Sequence, residues 1–278
     1  IDVANASRQI REKEIKAWLD KIEEEEPEPE EPRGKRGPKD FVEIYCDDDL
    51  LVLDKRAGLS VIPERDPQAP SLKQEAELRY GHLLTVHRID RGTSGLVLFA
   101  RNDESHRELN RQFREREVKK GYLVIVEGEA PEETFTVDVP IADGPRGSSK
   151  PSADGRPSVT HFSVVERFRG YTYIRAEPET GRQHQIRVHA QLYGIPLLVD
   201  PRYGAREAFF LSSIKRRYRT GKGKEELPLC DHLTLHAEKL GFVHPVTGEP
   251  VAVSADPPRD FRAVVTQLRK LRPLRIDE

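Results

Sequence analysis

Apolar positions along this chain come in short runs and alternations, separated by turn-forming residues. Residues 42–45 and 50–55 flank the acidic triplet Asp47, Asp48 and Asp49 and read as a strand pair joined by a turn. Short apolar or alternating stretches at 83–86, 96–100, 122–126, 134–139, 158–165, 171–176, 233–240 and 250–255 predict further strands. Helices are predicted over 105–117, where Leu109 and Phe113 share a side, over 183–193 after the Thr180-Gly181 turn, and over 261–271. Gly194, Pro196 and Gly204 punctuate the loop after the middle helix. Strands dominate and helices interrupt them without regular βαβ alternation. The fold class expected is therefore α+β, with a mixed, largely antiparallel β-sheet, flanking helices and loops, and a cleft across the sheet.

The first 40 residues read differently. Ile10, Ile15, Trp18, Leu19 and Ile22 give residues 4–22 helical spacing, but 23–32 is a Glu/Pro run and 33–39 is basic with Gly and Pro. Such composition cannot bury a core, so 1–40 is expected to be a charged helix and solvated linker, and 41–278 the folded domain. The net charge of -2 conceals an asymmetry: residues 1–32 carry 11 acids against 5 bases, so the body is mildly basic. That balance suits an RNA partner without proving one. No apolar run has the length of a membrane span, no secretory leader is visible, and two cysteines, Cys46 and Cys230, make no disulfide framework. A cytoplasmic protein with reduced thiols is expected. The chain begins on Ile1 and contains no Met, so no reading is placed on its ends.

Three stretches carry candidate chemistry. In the first, His87-Arg88-Ile89-Asp90-Arg91-Gly92-Thr93-Ser94-Gly95, two arginines flank one carboxylate between two apolar strands. Neighbouring cations favour the ionised form of Asp90, and a carboxylate beside phosphate-binding cations suits attack on a nucleotide sugar. A salt-bridged surface loop has the same composition. The glycines around Ser94 do not fit a nucleophile elbow. In the second, Thr180-Gly181-Arg182-Gln183-His184-Gln185-Ile186-Arg187-Val188-His189, a helix places Gln183, Ile186 and Arg187 on one face. His184 and His189 are five apart, which does not fit a zinc helix. In the third, Lys119-Lys120-Gly121-Tyr122, Tyr122 opens an apolar strand, where a tyrosine is more often core than catalytic.

Together these segments resemble the RluA-type pseudouridine synthase family. The Asp90 loop resembles its H-R-L-D-x-x-T-S-G signature, residues 181–189 its G-R-T-H-Q-[IL]-R-x-H, and 194–204 its G-x-P-[IL]-x-G-D-x-x-Y-G. Residues 51–63 resemble the family's early K-P-x-G segment, Lys120-Gly121-Tyr122 its K-x-Y, and Leu235-His236-Ala237 with Phe242, His244 and Pro245 its late L-H-A stretch. Ile89, Gln183, Val199 and Arg56 depart from the pattern without removing a residue type the chemistry requires.

The resemblance implies an RNA pseudouridine synthase that isomerises uridines in ribosomal or transfer RNA by base flipping. The catalytic residues are then Asp90, which acts on the nucleoside, Arg187, its ion-pair partner, and Tyr122, whose ring stacks on the target base and which is a candidate to assist proton removal from C5. It also places Arg88, His87, Arg91, Thr93, Lys120, Arg182, His184, Gln185 and Leu198 at the RNA. In that reading Arg88 fills the space left by the flipped base, Leu198 lines the base pocket, and His87 and Thr93 shape the loop. It implies no cofactor and no metal, and a structured RNA partner; no membrane is expected from the lack of a long apolar run, and a monomer is the default for an oligomeric state that the sequence does not show.

Two further groups are ambiguous from sequence. Lys215, Arg216, Arg217 and Arg219 form a basic patch, either a solvated loop or a phosphate contact. Cys230, His232 and His236 have tolerable metal-ligand spacing without an apparent fourth ligand. A non-catalytic RNA-binding protein and a nucleoside hydrolase are the competing functions. The first predicts loss of Asp90, Tyr122 or Arg187, and the second a carboxylate pair or metal, with free uracil as product.

Overall fold

The computed structural model describes residues 41–64, 69–219, 221 and 225–274. The expected N-terminal helix and linker, and Lys222 and Lys224 beyond the basic patch, lie outside the described residues.

In chain order the elements are β1 (Phe41–Cys46), β2 (Leu50–Lys55), α1 (Leu72–Tyr80), β3 (Leu84–Thr85), β4 (Ser94–Ala100), α2 (Asp103–Arg114) and β5 (Lys119–Glu127). Then follow β6 (Thr134–Asp138), β7 (Ile141–Asp143), β8 (Ser149–Pro151), β9 (Val159–Phe168), β10 (Tyr171–Pro178) and α3 (Gln185–Leu192), and last β11 (Leu235–Val243), β12 (Pro250–Ser254) and α4 (Arg259–Leu271). They fall into two compact units.

The first unit takes the described residues up to Ile89 together with Gly95–Lys120 and Glu238–Ala255. Strands run in the order β1-β2-β4-β11, with β3 on β4 and β12 on β11. β1–β2, β2–β4, β3–β4 and β11–β12 are antiparallel. The turn between β1 and β2 forms because Asp47 Oδ1 accepts the N–H groups of Asp49 and Leu50, an Asx turn. β4 is buried along its whole length, as its unbroken apolar run predicts. Leu50, Val52, Leu96, Leu98, Leu109 and Phe242 form the unit's core. α2 starts where Asn102 accepts the Ser105 N–H at 2.9 Å. Its Arg111 is gripped by Glu108, Glu115 and Glu117.

The second unit takes Asp90–Ser94, Gly121–Ala237 and the described residues from Asp256 onward. Its strands run β5-β10-β9-β6, all antiparallel, with a separate β7–β8 hairpin. β6 alternates exposed and buried positions, as an edge strand with one packed face does. One core cluster gathers Val124, Val126, Phe135, Phe162, Ile174, Ile186 and Leu235. Another gathers Leu123, Ile125, Phe168, Leu198, Phe209 and Phe261 on the alternate residues of β5.

The expected α+β class with largely antiparallel strands is the observed one. α1 was not predicted, nor were β7 and β8. α3 begins at Gln185, two residues later than expected. Gln183 therefore precedes the helix and does not share a face with Arg187. It is exposed, and its amide reaches the Gly147 carbonyl.

Candidate active site

Asp90 sits in a tight turn whose geometry is set locally. The Thr93 N–H donates to the Asp90 carbonyl at 3.0 Å. Gly92 permits the close approach of Leu233: a Cβ at 92 would lie 2.8 Å from that side chain. Thr93 is buried, and its Oγ1 has no hydrogen-bond partner among the described residues. The turn leaves the half-buried Asp90 carboxylate projecting from the backbone toward the start of α3.

Two kinds of side chain leave that helix. Gln185 and His189 point into the protein. Gln185 Oε1 accepts from Thr180 Oγ1 and the Arg182 N–H, while Nε2 donates to the Val159 carbonyl and Thr160 Oγ1. Thr160 in turn meets His189 Nδ1 at 2.9 Å, and His189 Nε2 donates to the Val139 carbonyl. These bonds lock the N-terminus of α3 to β9, and burial pushes the His189 imidazole down toward its neutral form.

Arg187 points the other way, toward the carboxylates. Its Nε and Nη2 donate to Asp200 Oδ2 and Oδ1 at 2.7 and 2.8 Å, and its Nη1 donates to Asp90 Oδ2 at 2.9 Å. The face of the guanidinium lies over the Tyr203 ring, 4.9 Å from its centroid. Asp200 has no exposed surface, and its Oδ1 also accepts the N–H groups of Arg202 and Tyr203. Burial alone would raise the Asp200 carboxyl, but Arg187 and the two backbone donors outweigh it and hold the group below the usual carboxylate range. Burial likewise opposes the Arg187 charge and is overridden by Asp200 and then Asp90. Asp90 Oδ2 is held by Arg187, while Oδ1 accepts no hydrogen bond among the described residues.

His184 completes the cluster. It occupies the left-handed region, φ 55°, where a residue with a Cβ is strained. Its Nδ1 meets the Tyr203 hydroxyl at 2.9 Å and its Nε2 lies 3.9 Å from Asp90 Oδ2. Burial pushes the imidazole down. The Asp90 charge opposes this, and Arg187 and Arg202 reinforce it. Tyr122 is half-buried beside the first core cluster. Burial, and after it the Asp90 charge, raise its hydroxyl above the usual phenol range, so it stays protonated.

The remaining expected residues divide. Arg88 and Arg91 are exposed, while Lys120 and Arg182 are half-buried. Two have side chains committed to the interior: Gln185 through the bonds above, and Leu198, which has no exposed surface and belongs to a core cluster with Leu123 and Phe209. His87 is likewise turned to structure. Its Nε2 accepts the Leu98 N–H, its ring stacks on Phe113, and burial, with the Lys120 charge second, pushes it down to about 3. Asp200 and Tyr203 were not singled out beforehand; their signal was the D-x-x-Y-G pattern, whose purpose is visible only in three dimensions.

Two groups bring metal-ligand types together: Cys230, His232 and Asp260, and Asp47, Asp49 and His244. In the first, Asp260 replaces the expected His236, which bonds Ser94 instead. Both nitrogens of His232 donate, to the Leu233 carbonyl and to Asp260, which suits an imidazolium–carboxylate pair. In the second, His244 Nδ1 accepts two backbone N–H groups and Nε2 donates to Asp47.

Comparison with known proteins gives the family. Residues 49–192 match the family model described as RNA pseudouridylate synthase. The chain is 35% identical over 258 residues to YlyB of Bacillus subtilis, named as an uncharacterized RNA pseudouridine synthase, covering 88% of this chain and 78% of that one. It is 38% identical over 235 residues to ribosomal large subunit pseudouridine synthase D of Xanthomonas campestris, covering 82% and 69%. Among solved structures, human RNA pseudouridylate synthase domain containing 4 superposes with a TM-score of 0.63 at 25% identity, covering 83% of this chain and 93% of that one.

Proposed function

The chain belongs to the RNA pseudouridylate synthase family, and from that premise we propose that it converts uridine to pseudouridine in a structured RNA, with Asp90 acting on the target nucleoside. The observation that carries this reading is the Arg187 contact: one Asp90 oxygen is fixed at 2.9 Å, while the other accepts no hydrogen bond among the described residues. A carboxylate so held can attack the anomeric carbon or the base, or assist elimination, without first reorganising. In the net reaction the bond from C1′ to N1 breaks, a bond from C1′ to C5 forms, C5 loses a proton and N1 gains one. Atoms and electrons balance within the nucleoside, so the step calls for no cofactor or metal.

Tyr122 serves in this reading as the ring against which the flipped base stacks. Arg88, exposed on the preceding residues, takes the space the base vacates. Arg91, Lys120 and Arg182 contact the backbone, and His184 contacts the target nucleotide. His87 and Thr93 shape the loop that presents Asp90. The catalytic domain is residues 41–278. The groups that touch Asp90, Arg187 and His184, lie within the second unit, and a monomer is the proposed state. No described helix is long and apolar enough to cross a membrane; the cytoplasm is the proposed place of action. Ribosomal RNA is the proposed substrate, because similar proteins carry names of ribosomal large subunit enzymes. The test is to map pseudouridine in cells with and without the protein. Loss of modification at specific uridines is expected. An unchanged map, or release of free uracil by the purified protein, would overturn the reading.

A further inference from the structure

His184 is the N-cap of α3, yet its side chain makes no capping bond. It keeps a left-handed backbone, φ 55°, that a residue with a Cβ adopts only under strain.

The surrounding bonds fix where its proton lies. The Tyr203 hydroxyl accepts the Ser149 N–H at 2.7 Å. Its own single proton can then be given to His184 Nδ1, 2.9 Å away, and we take the ring in that tautomer. A neutral imidazole that accepts at Nδ1 carries its hydrogen on Nε2. That N–H has no hydrogen-bond partner among the described residues, and it lies 3.9 Å from Asp90 Oδ2. The separation is too long for a direct hydrogen bond but closes around a single oxygen about 2.9 Å from each.

The chemistry of that oxygen is restricted. It must accept from the imidazole N–H and donate to a carboxylate. Carbonyl and phosphate oxygens cannot donate, which excludes the uracil carbonyls and the RNA backbone phosphates. A hydroxyl can do both, as can a water, which a bound nucleotide displaces only by supplying a group with the same donor and acceptor. Within an RNA chain the 3′ and 5′ oxygens are esterified, so the 2′-hydroxyl is the one hydroxyl each nucleotide offers. It is bonded to the carbon adjacent to C1′, the atom around which the isomerisation turns.

We propose that His184 and Asp90 hold the 2′-hydroxyl of the target ribose between them, His184 donating to it and Asp90 accepting from it. His184 is then the residue through which this site requires RNA at the target position. Tyr203 positions it by fixing the tautomer. The inference rests on the reading that Asp90 acts on the target nucleoside.

The test is a cycle between protein and substrate. Two transcripts carrying the uridine mapped in cells differ in one atom, the 2′-oxygen of that uridine. Single-turnover rates are measured for wild type, His184→Ala and His184→Gln, with thermal melts confirming that each variant folds. Wild type is expected to lose roughly 10- to 100-fold on the 2′-deoxy substrate. In His184→Ala that penalty should shrink by about tenfold, and His184→Gln, which restores an N–H donor, should recover part of it. Tyr203→Phe, which keeps the ring and removes the proton given to Nδ1, should shrink it as well. If the penalty is the same in wild type and His184→Ala, the inference is wrong, whatever the absolute rates. The same cycle run on dissociation constants needs no turnover. It therefore reads the contact separately from Asp90→Asn, whose full activity would overturn the nucleoside reading instead.

Discussion

Arg187 gives two N–H groups to Asp200 and one to Asp90. The unequal division assigns different work to the two carboxylates. Asp200, fully buried and satisfied by Arg187 and two backbone donors, is an anchor that fixes the guanidinium plane. Asp90, more exposed and held through a single oxygen, keeps the freedom to react. Removing the anchor leaves a buried cation with a neutral neighbour. Asp200→Asn is therefore expected to lower stability by about 3–5 kcal/mol, read from the urea midpoint at unchanged slope. It should also reduce kcat more than it raises KM. Wild-type stability in this variant would show that the pair does not hold the helix to the loop.

Tyr122 is held as a protonated phenol by burial and by Asp90, so its contribution to binding comes from its ring. Tyr122→Ala is expected to weaken binding of the target RNA by roughly 5- to 150-fold, the value of one base stack. Tyr122→Phe should bind within about threefold of wild type by the same stacking argument, whatever its effect on turnover. Equal loss of binding in both variants would contradict stacking.

Lys215, Arg216, Arg217 and Arg219 are exposed, and the described residues give them no carboxylate partner. Their segment is pinned by the buried Ile214. If they meet phosphates, replacing all four by Gln should reduce the slope of log affinity against log salt by about 3, with kcat at saturating RNA unchanged. A slope identical to wild type would assign the patch to solvent.

His232 and Asp260 make a pH-dependent contribution to stability. Burial opposes the His232 charge, but Asp260 and Cys230 outweigh it and raise the imidazole to about 10. A raised folded value means that the stabilisation is complete below the unfolded value near 6.5 and is lost as pH climbs toward about 10. Burial would raise the Asp260 carboxyl, but His232 outweighs it and shifts the group the opposite way, down, so its share is lost only in acid, below its usual value of 3.8. Because Asp260 is 40% exposed, the pair is expected to contribute about 2 kcal/mol. His232→Gln should flatten the alkaline limb of a stability–pH profile; an unaltered limb would show that the imidazole is neutral in the folded protein.

Strands such as β2, β4 and β5 were legible because their apolar runs are continuous, and α2 because Leu109 and Phe113 mark its buried side. α1 was missed because only Leu72 and Ala76 are buried, which leaves no apolar stripe to read. Its signals were the caps, Ser71 and a left-handed Gly81. The boundary of α3 was misjudged because a histidine, and not a glycine, takes the positive φ before it. In the site, Asp90 and Arg187 were paired through resemblance to a family, not through spacing. Asp200 was passed over because a carboxylate in a loop gives no hint that a helix thirteen residues earlier will close on it. Gln185 and Leu198 were placed at the RNA because motif membership does not distinguish residues that build a site from those that face its ligand.

The central claim is tested most directly by single-turnover conversion of a transcript carrying the mapped uridine, comparing wild type with Asp90→Asn. The side chains are nearly isosteric, and the amide can still meet Arg187 through its oxygen. The account predicts pseudouridine from the wild type, none from Asp90→Asn within a rate window of roughly 10⁴, and RNA affinities within a few-fold of each other. Pseudouridine formed by Asp90→Asn at the wild-type rate would contradict it.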